Sequence, residues 1–216
     1  MKINRISTEK QEFIQGCVNL DDFPKKLYIL GNLPEKRPPT IAIIGSRKPT
    51  QYGREVTEKI AFELAKAGVV VVSGLALGID SIAHRAALEA RGVTVAVLAN
   101  GLDTIYPASH KGLAKQILDS GGALISEYEP GTPPMQYRFL ERNRIVSGIA
   151  DGVLVIEAAA RSGTLSTAAH ALRQNKEVFA IPGNITSPQS AGCTALIRQG
   201  AIPVTKVEAI LEGIAP

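Results

Sequence analysis

Cysteine is scarce in this 216-residue chain: Cys17 and Cys193 stand far apart, with no CxxC and no Cys/His pair at ligand spacing. Neither a disulfide framework nor a zinc site is suggested, and two free thiols are expected. Histidine is equally sparse, and its three copies, His84, His110 and His170, fall in separate segments, which makes a metal site improbable. Long hydrophobic runs are missing. The apolar stretches have the length of strands, too short for a bilayer, and the polar start "MKINRISTEKQEF" lacks the apolar core of a signal peptide. A cytoplasmic protein with no membrane partner is expected. Nor is there a large excess of one charge: the formal net charge of +4 is compatible with a polyanionic partner without requiring one.

What is present is an ordinary globular composition, 45% hydrophobic and 20% charged, with a strong alternation of two patterns. Short β-branched runs recur as "IAIIG", "VVVVSG", "VTVAVLAN", "ALISE", "GVLVIEA" and "EVFAIPG". Between them lie segments such as "REVTEKIAFELAKAG" and "SIAHRAALEARG", whose apolar residues return every three or four positions. This is the mark of βαβ units, so the expected fold is α/β: a doubly wound, mostly parallel, Rossmann-like sheet with helices on both faces. Gly68, Gly92 and Gly122 follow helical patterns, where a left-handed residue is expected. Residues 1–39, ending in a proline-rich charged connector, are expected to be an extension packed on the core domain of residues 40–216.

In such a sheet, ligands bind beyond the carboxyl ends of the strands, where turns enter helix N-termini with free N–H groups. The first such turn, Gly45-Ser46-Arg47, lacks the later glycines of the GxGxxG fingerprint, so a nicotinamide site is not expected and no cofactor is assigned. Arg47 stands either where a phosphate would approach or as a surface cation paired to a carboxylate. The second turn sets Gly74 and Gly78 around Leu75-Ala76-Leu77. It suits an anion nest of outward N–H groups or a plain tight turn, and the nest is the expectation taken forward. Asp80 is expected to cap a helix beginning at Ser81, and His84 to be a packed, neutral, hydrogen-bonded histidine.

The segment "QYRFLERNRIVSGIAD" places Arg138, Arg142 and Arg144 with Phe139 and Asn143 just before a strand. Interleaved guanidiniums and an aromatic ring form a recipe for single-stranded nucleic acid, although an amphipathic helix with solvated arginines would look much the same. "RSGTLSTAAHAL" offers Ser162, Gly163 and Thr164 either to hold a phosphate or to cap a helix. Glu127 and Glu157, near strand ends, could form an acid/base pair; the expectation is that they orient neighbouring arginines.

Together these turns resemble the DNA-processing protein A (DprA, also called Smf) family. The similarity runs in order through "IAIIGSR", "VVSGLALGIDSIAH", "TVAVLANGLDTIYP", "ISEYEPG", "FLERNRIVSG", "VLVIEA…RSGTLSTA", "FAIPGN" and "LIRQGA", over residues 41–204. "LYILGNL" at 27–33 looks like the lead-in to that domain. The resemblance implies a Rossmann-like protein that binds single-stranded DNA, commonly as a homodimer, and loads RecA onto incoming strands in natural transformation, with no chemical step. Carried over by residue, Gly45, Ser46, Arg47, Gly74, Leu75, Ala76, Gly78, Phe139, Arg142, Asn143, Arg144, Ser162, Gly163 and Thr164 would form the phosphate and base pocket. No separate N-terminal helical or C-terminal winged-helix domain is expected in a chain of this length. Thr194 stands where the family often has Asn. Two alternatives share the scaffold: a nucleotide or oligonucleotide sensor, and nucleotide-cleaving hydrolases with PGGxGTxxE, whose glutamate position is Thr167 here.

Overall fold

The structure is a computed structural model that describes residues 2–214 apart from 16, 18, 19, 21 and 22. The expected extension therefore lies partly outside the described residues, as does the end of the closing "VEAILEGIAP". The chain opens with β1 (Asn4–Ser7), α1 (Glu12–Gln15) and β2 (Lys26–Gly31). The alternating region follows: β3 (Thr40–Ile44), α2 (Gln51–Lys66), β4 (Val70–Ser73), α3 (Ile79–Glu89), β5 (Thr94–Val97), α4 (Lys111–Asp119), β6 (Ala123–Ser126) and α5 (Gln136–Ile149). It ends with β7 (Gly152–Val155), α6 (Thr164–Arg173), β8 (Glu177–Ala180), α7 (Ala191–Arg198), β9 (Ile202–Pro203) and α8 (Glu208–Gly213).

Among the described residues, nine strands join one sheet in the order β1-β2-β6-β5-β4-β3-β7-β8-β9. Strands β3 to β9 run parallel, while β2 pairs antiparallel with β6 and β1 with β2. The doubly wound, Rossmann-like architecture is thus the observed one. Its strands are continuous apolar runs because both faces are covered. In β3, Ile41 and Ile43 pack with Ile60 and Leu64 of α2, whereas Ala42 and Ile44 face Ile145 and Ile149 of α5. Successive residues point to opposite faces, so the two layers of helices each receive alternate positions.

The described part of the first 39 residues adds β1 and β2 to the sheet edge, and its connector is pinned. Arg37 donates to the Phe13 carbonyl at 2.7 Å and pairs with Asp151, which also accepts the Thr40 amide at 2.8 Å.

Helix ends follow one rule with a shift from expectation. Gly68 is left-handed at φ +85°, as its position after α2 requires. After α3 and α4, however, the left-handed residues are Arg91 (φ +57°) and Gly121 (φ +83°), one position earlier than Gly92 and Gly122. The Gly92 amide reaches the Ala87 carbonyl and the Gly122 amide the Ile117 carbonyl, each at 2.9 Å, closing Schellman motifs around the preceding residue. Gly92 and Gly122 are small for a different reason: a Cβ there would strike Ala65 and the Thr94 carbonyl.

The sheet reverses direction at β3. The chain winds outward through β4, β5 and β6, and α5 then carries it back across to β7 on the other flank. A crevice must open between the carboxyl ends of β3 and β7, because their following turns diverge to opposite faces.

Candidate functional site

A cleft of about 770 Å³ occupies that crevice. Of the residues expected there, Gly45, Ser46, Arg47, Ala76, Phe139, Arg142, Asn143, Ser162, Gly163 and Thr164 line it. Gly74, Leu75, Gly78 and Arg144 do not, and the structure gives each another task.

At the end of β3, the Ser46 hydroxyl accepts the Lys48 amide at 3.1 Å, turning the chain so that Arg47 and Lys48 face solvent. Arg47 has no carboxylate within ion-pair distance among the described residues. Its guanidinium instead lies over the Phe139 ring, 5.4 Å from the centroid, and Phe139 in turn meets Tyr106 at 5.6 Å. A cation on a half-buried ring keeps its donors pointing outward, ready for an anion.

The second turn is a correction. It does form a nest, but the anion that fills it is the protein's own. The Asp80 carboxylate accepts the Gly74 amide at 3.1 Å and the Ala76 amide at 3.4 Å. Helix α3 begins at Ile79 with Gly78 before it, so Asp80 sits inside the first turn and clamps the loop behind it; it does not cap a helix at Ser81. Burial pushes the Asp80 carboxyl above its ordinary value, while Arg142 and the two amides pull it back. The glycines serve close packing: a Cβ at Gly74 would enter the Arg142 guanidinium, and one at Gly78, left-handed at φ +79°, would strike the Ser46 carbonyl. A Cβ at Gly45 would come within 2.6 Å of Ile79. Leu75 is fully buried, and His110 holds its carbonyl at 2.8 Å.

Arg142 and Arg144 are likewise committed inward. Arg142 is 4% exposed and donates to the carbonyls of Gly74 (2.8 Å) and Val97, tying β4 and β5 ends to α5 from the cleft floor. Desolvation lowers its pKa, and the Asp80 charge opposes that shift. Arg144 pairs with Glu127, as expected of that carboxylate. Glu157 differs from expectation. It is buried and accepts the Thr50 amide (2.9 Å) and hydroxyl at the start of α2, with Gly53 pressed against it, and among the described residues it pairs with no arginine.

The β7 turn crosses the crevice. Thr164 donates its hydroxyl to the Gly45 carbonyl at 3.1 Å, Ser162 accepts the Thr164 amide at 3.2 Å, and Asn143 reaches Ser166 at 2.8 Å. Three separate segments are thereby fixed around one opening. His84 is fully buried, with Nδ1 2.7 Å from the Thr94 hydroxyl. That hydroxyl spends its proton on the Val71 carbonyl, so Nδ1 carries the donor hydrogen, and burial pushes the ring's pKa down to about 3, which keeps it neutral as expected. Both cysteines are free and buried, and among the described residues no cluster of three His, Cys, Asp or Glu could hold a metal.

Sequence reasoning missed Lys48, Tyr106 and Arg161, which also line the cleft. Arg161, directly before Ser162, and Tyr106, in the turn "NGLDTIYP" after β5, each carried a readable signal in a strand-end position, but the contact of Tyr106 with Phe139 arises only through the fold.

Fold and cleft together define a Rossmann-like protein with a cationic, aromatic-lined opening at its switch point. Residues 4–215 match the family described as DNA recombination-mediator protein A, and the chain belongs to that family. Protein Smf of Escherichia coli is 50% identical over 193 residues, covering 89% of this chain and 52% of its own length. The chain thus spans about half of that relative. The structure of DNA processing protein A from Streptococcus pneumoniae superposes with a TM-score of 0.91 at 39% identity, covering 98% of this chain and 74% of that one. DNA processing protein A from Helicobacter pylori, whose structure describes a single-stranded DNA binding mode, gives 0.85 at 32% identity, with 98% and 95% covered. No helix among the described residues is long and apolar enough to cross a membrane.

Proposed function

We propose that the cleft binds single-stranded DNA with little sequence preference, phosphates lying against Arg47, Lys48 and Arg161 and a base against Phe139. The observation that carries this reading is the Arg47–Phe139 stack in a cleft also lined by Lys48 and Arg161, where Arg142 is spent on backbone carbonyls and Asp80, the one acid of the lining among the described residues, is held by amides. Gly45, Ser46, Ala76, Asn143 and Ser162–Thr164 supply the surrounding polar wall, and Gly74, Leu75, Gly78, Arg142 and Arg144 shape it. The binding mode described for the Helicobacter pylori relative supports the same ligand class.

In this reading residues 40–216 are the DNA-binding unit and residues 1–39 its extension. The protein acts in the cytoplasm as a homodimer that protects incoming strands and delivers them to RecA, a role suited to a recombination mediator. It performs no chemical step. Glu157 is turned to Thr50, and Thr167 occupies the place of a hydrolase glutamate, so among the described residues the cleft offers no free carboxylate to activate water.

Titration with fluorescent oligonucleotides tests this. Affinity should fall with salt, and Arg47→Ala should weaken binding for every sequence and reduce the salt slope by about 1. Affinity unchanged by Arg47→Ala would overturn the site. Release of free base from nucleoside monophosphates would overturn the non-enzymatic reading.

A further inference from the structure

The five tyrosines of the chain lie toward the carboxyl ends of the parallel strands, spread across the sheet from β2 to β8. Tyr28 pairs with Ser126 at the end of β6, Tyr52 reaches the Pro182 carbonyl after β8, and Tyr106, Tyr128 and Tyr137 lie in or beside the turns that follow β5 and β6. Core positions are given to phenylalanines instead: Phe13, Phe23 and Phe179 are buried. Tyrosine combines a flat apolar ring with a wettable tip, which favours a contact surface over a core.

Within this rim, one group stands outside the cleft lining. The Arg138 guanidinium lies over two rings, 5.1 Å from the Tyr128 centroid and 5.4 Å from that of Tyr137, and it donates to the Pro133 carbonyl. Tyr128 is anchored by donating its hydroxyl to Glu141 at 2.8 Å. Tyr137 is 51% exposed, and it lies three residues before Leu140, a cleft-lining side chain that is itself 50% exposed. At i and i+3 the two are neighbours at the start of α5, so an open aromatic face adjoins the cleft mouth.

We propose that Tyr137, braced by Arg138 and Tyr128, is a second base-stacking subsite for the strand where it leaves the cleft over the start of α5. This rests on the reading of the cleft as a single-stranded DNA site. Glu141 places a negative charge beside the cluster, so the subsite takes the face of a base and leaves the phosphates to the cleft cations. A half-exposed aromatic could also suit a second copy of this chain. Continuity with the cleft through Leu140 favours the strand, whose phosphates can stay on the cleft cations while one base reaches Tyr137.

The test compares a tetranucleotide with a twenty-residue oligothymidylate by fluorescence anisotropy. Tyr137→Ala should weaken binding of the long strand about tenfold, within the range of a single base stack, with the salt slope unchanged. It should leave the tetranucleotide unaffected; Tyr137→Phe should restore wild-type affinity, and Arg47→Ala should weaken both lengths. Wild-type affinity of Tyr137→Ala for the long strand, with Arg47→Ala still weak, overturns the subsite and leaves the cleft standing. Absence of binding to either oligonucleotide by the wild-type protein overturns both. A change in sedimentation of the DNA-free protein on Tyr137→Ala assigns the ring to an interface between copies and also overturns the subsite.

Discussion

Lowering the pH from 7 to 4.5 is expected to cost the fold roughly 3 kcal/mol through His84 alone. Desolvation holds this buried ring far below the ordinary histidine value of 6.5, at about 3, and electrostatic interaction with His110 and Arg142 adds to the shift. The unfolded chain takes up a proton below 6.5, whereas the folded protein does so only near 3. Stability from this group is therefore complete above 6.5 and is lost progressively as the pH falls through that window. Each pH unit inside it is worth about 1.4 kcal/mol. The assay is urea unfolding at pH 7 and pH 4.5 for the wild type and His84→Asn, whose amide can still donate to Thr94 but does not titrate. Carboxylates that weaken the fold in acid act on both proteins and cancel in the difference. The variant should be less stable at pH 7 by about 1–2 kcal/mol from lost packing, yet lose roughly 3 kcal/mol less on acidification. An equal acid loss in both proteins would refute the buried, neutral assignment.

Asp80→Asn removes the charge facing buried Arg142 and weakens the clamp on the Gly74 and Ala76 amides. A loss of about 3 kcal/mol in urea unfolding and weaker binding of single strands are expected, and unchanged stability would contradict the clamp. Gly78→Ala places a methyl against the Ser46 carbonyl at a left-handed position; about 2 kcal/mol of destabilisation should appear in thermal melts. Glu157→Gln should cost about 1–2 kcal/mol by weakening the Thr50 contacts while leaving DNA affinity within about twofold, as titration of the folded variant can check. Arg91→Gly, relieving a left-handed non-glycine residue, should raise the melting temperature by about 1–2 °C.

Much of the fold was legible because a parallel sheet covered on both faces writes itself as apolar runs separated by helical periodicity. The six runs from "IAIIG" to "EVFAIPG" all became parallel strands. The strand ends were legible for the same reason, and ten of the expected site residues line one cleft. Less legible was the job of each residue there. Gly74 and Gly78 read as makers of an anion nest, yet Asp80 fills the nest and the missing side chains make room for Arg142 and the Ser46 backbone. Arg142 read as a phosphate ligand, and Glu157 as an arginine partner, because spacing shows neither burial nor which distant carbonyl or hydroxyl a side chain meets.

The sequence by itself determined the alternation of strands and helices, the turns that must carry any ligand, and the family, because these depend on local periodicity and on motifs in order. Tertiary structure decided which polar groups remain available. Apart from the local Asp80 clamp, these choices join residues far apart in the chain: Arg47 on Phe139, Thr164 on Gly45, Arg142 on Gly74, Glu157 on Thr50. A buried charge must find its partner wherever the packed fold supplies one, and only the folded chain brings those partners within reach.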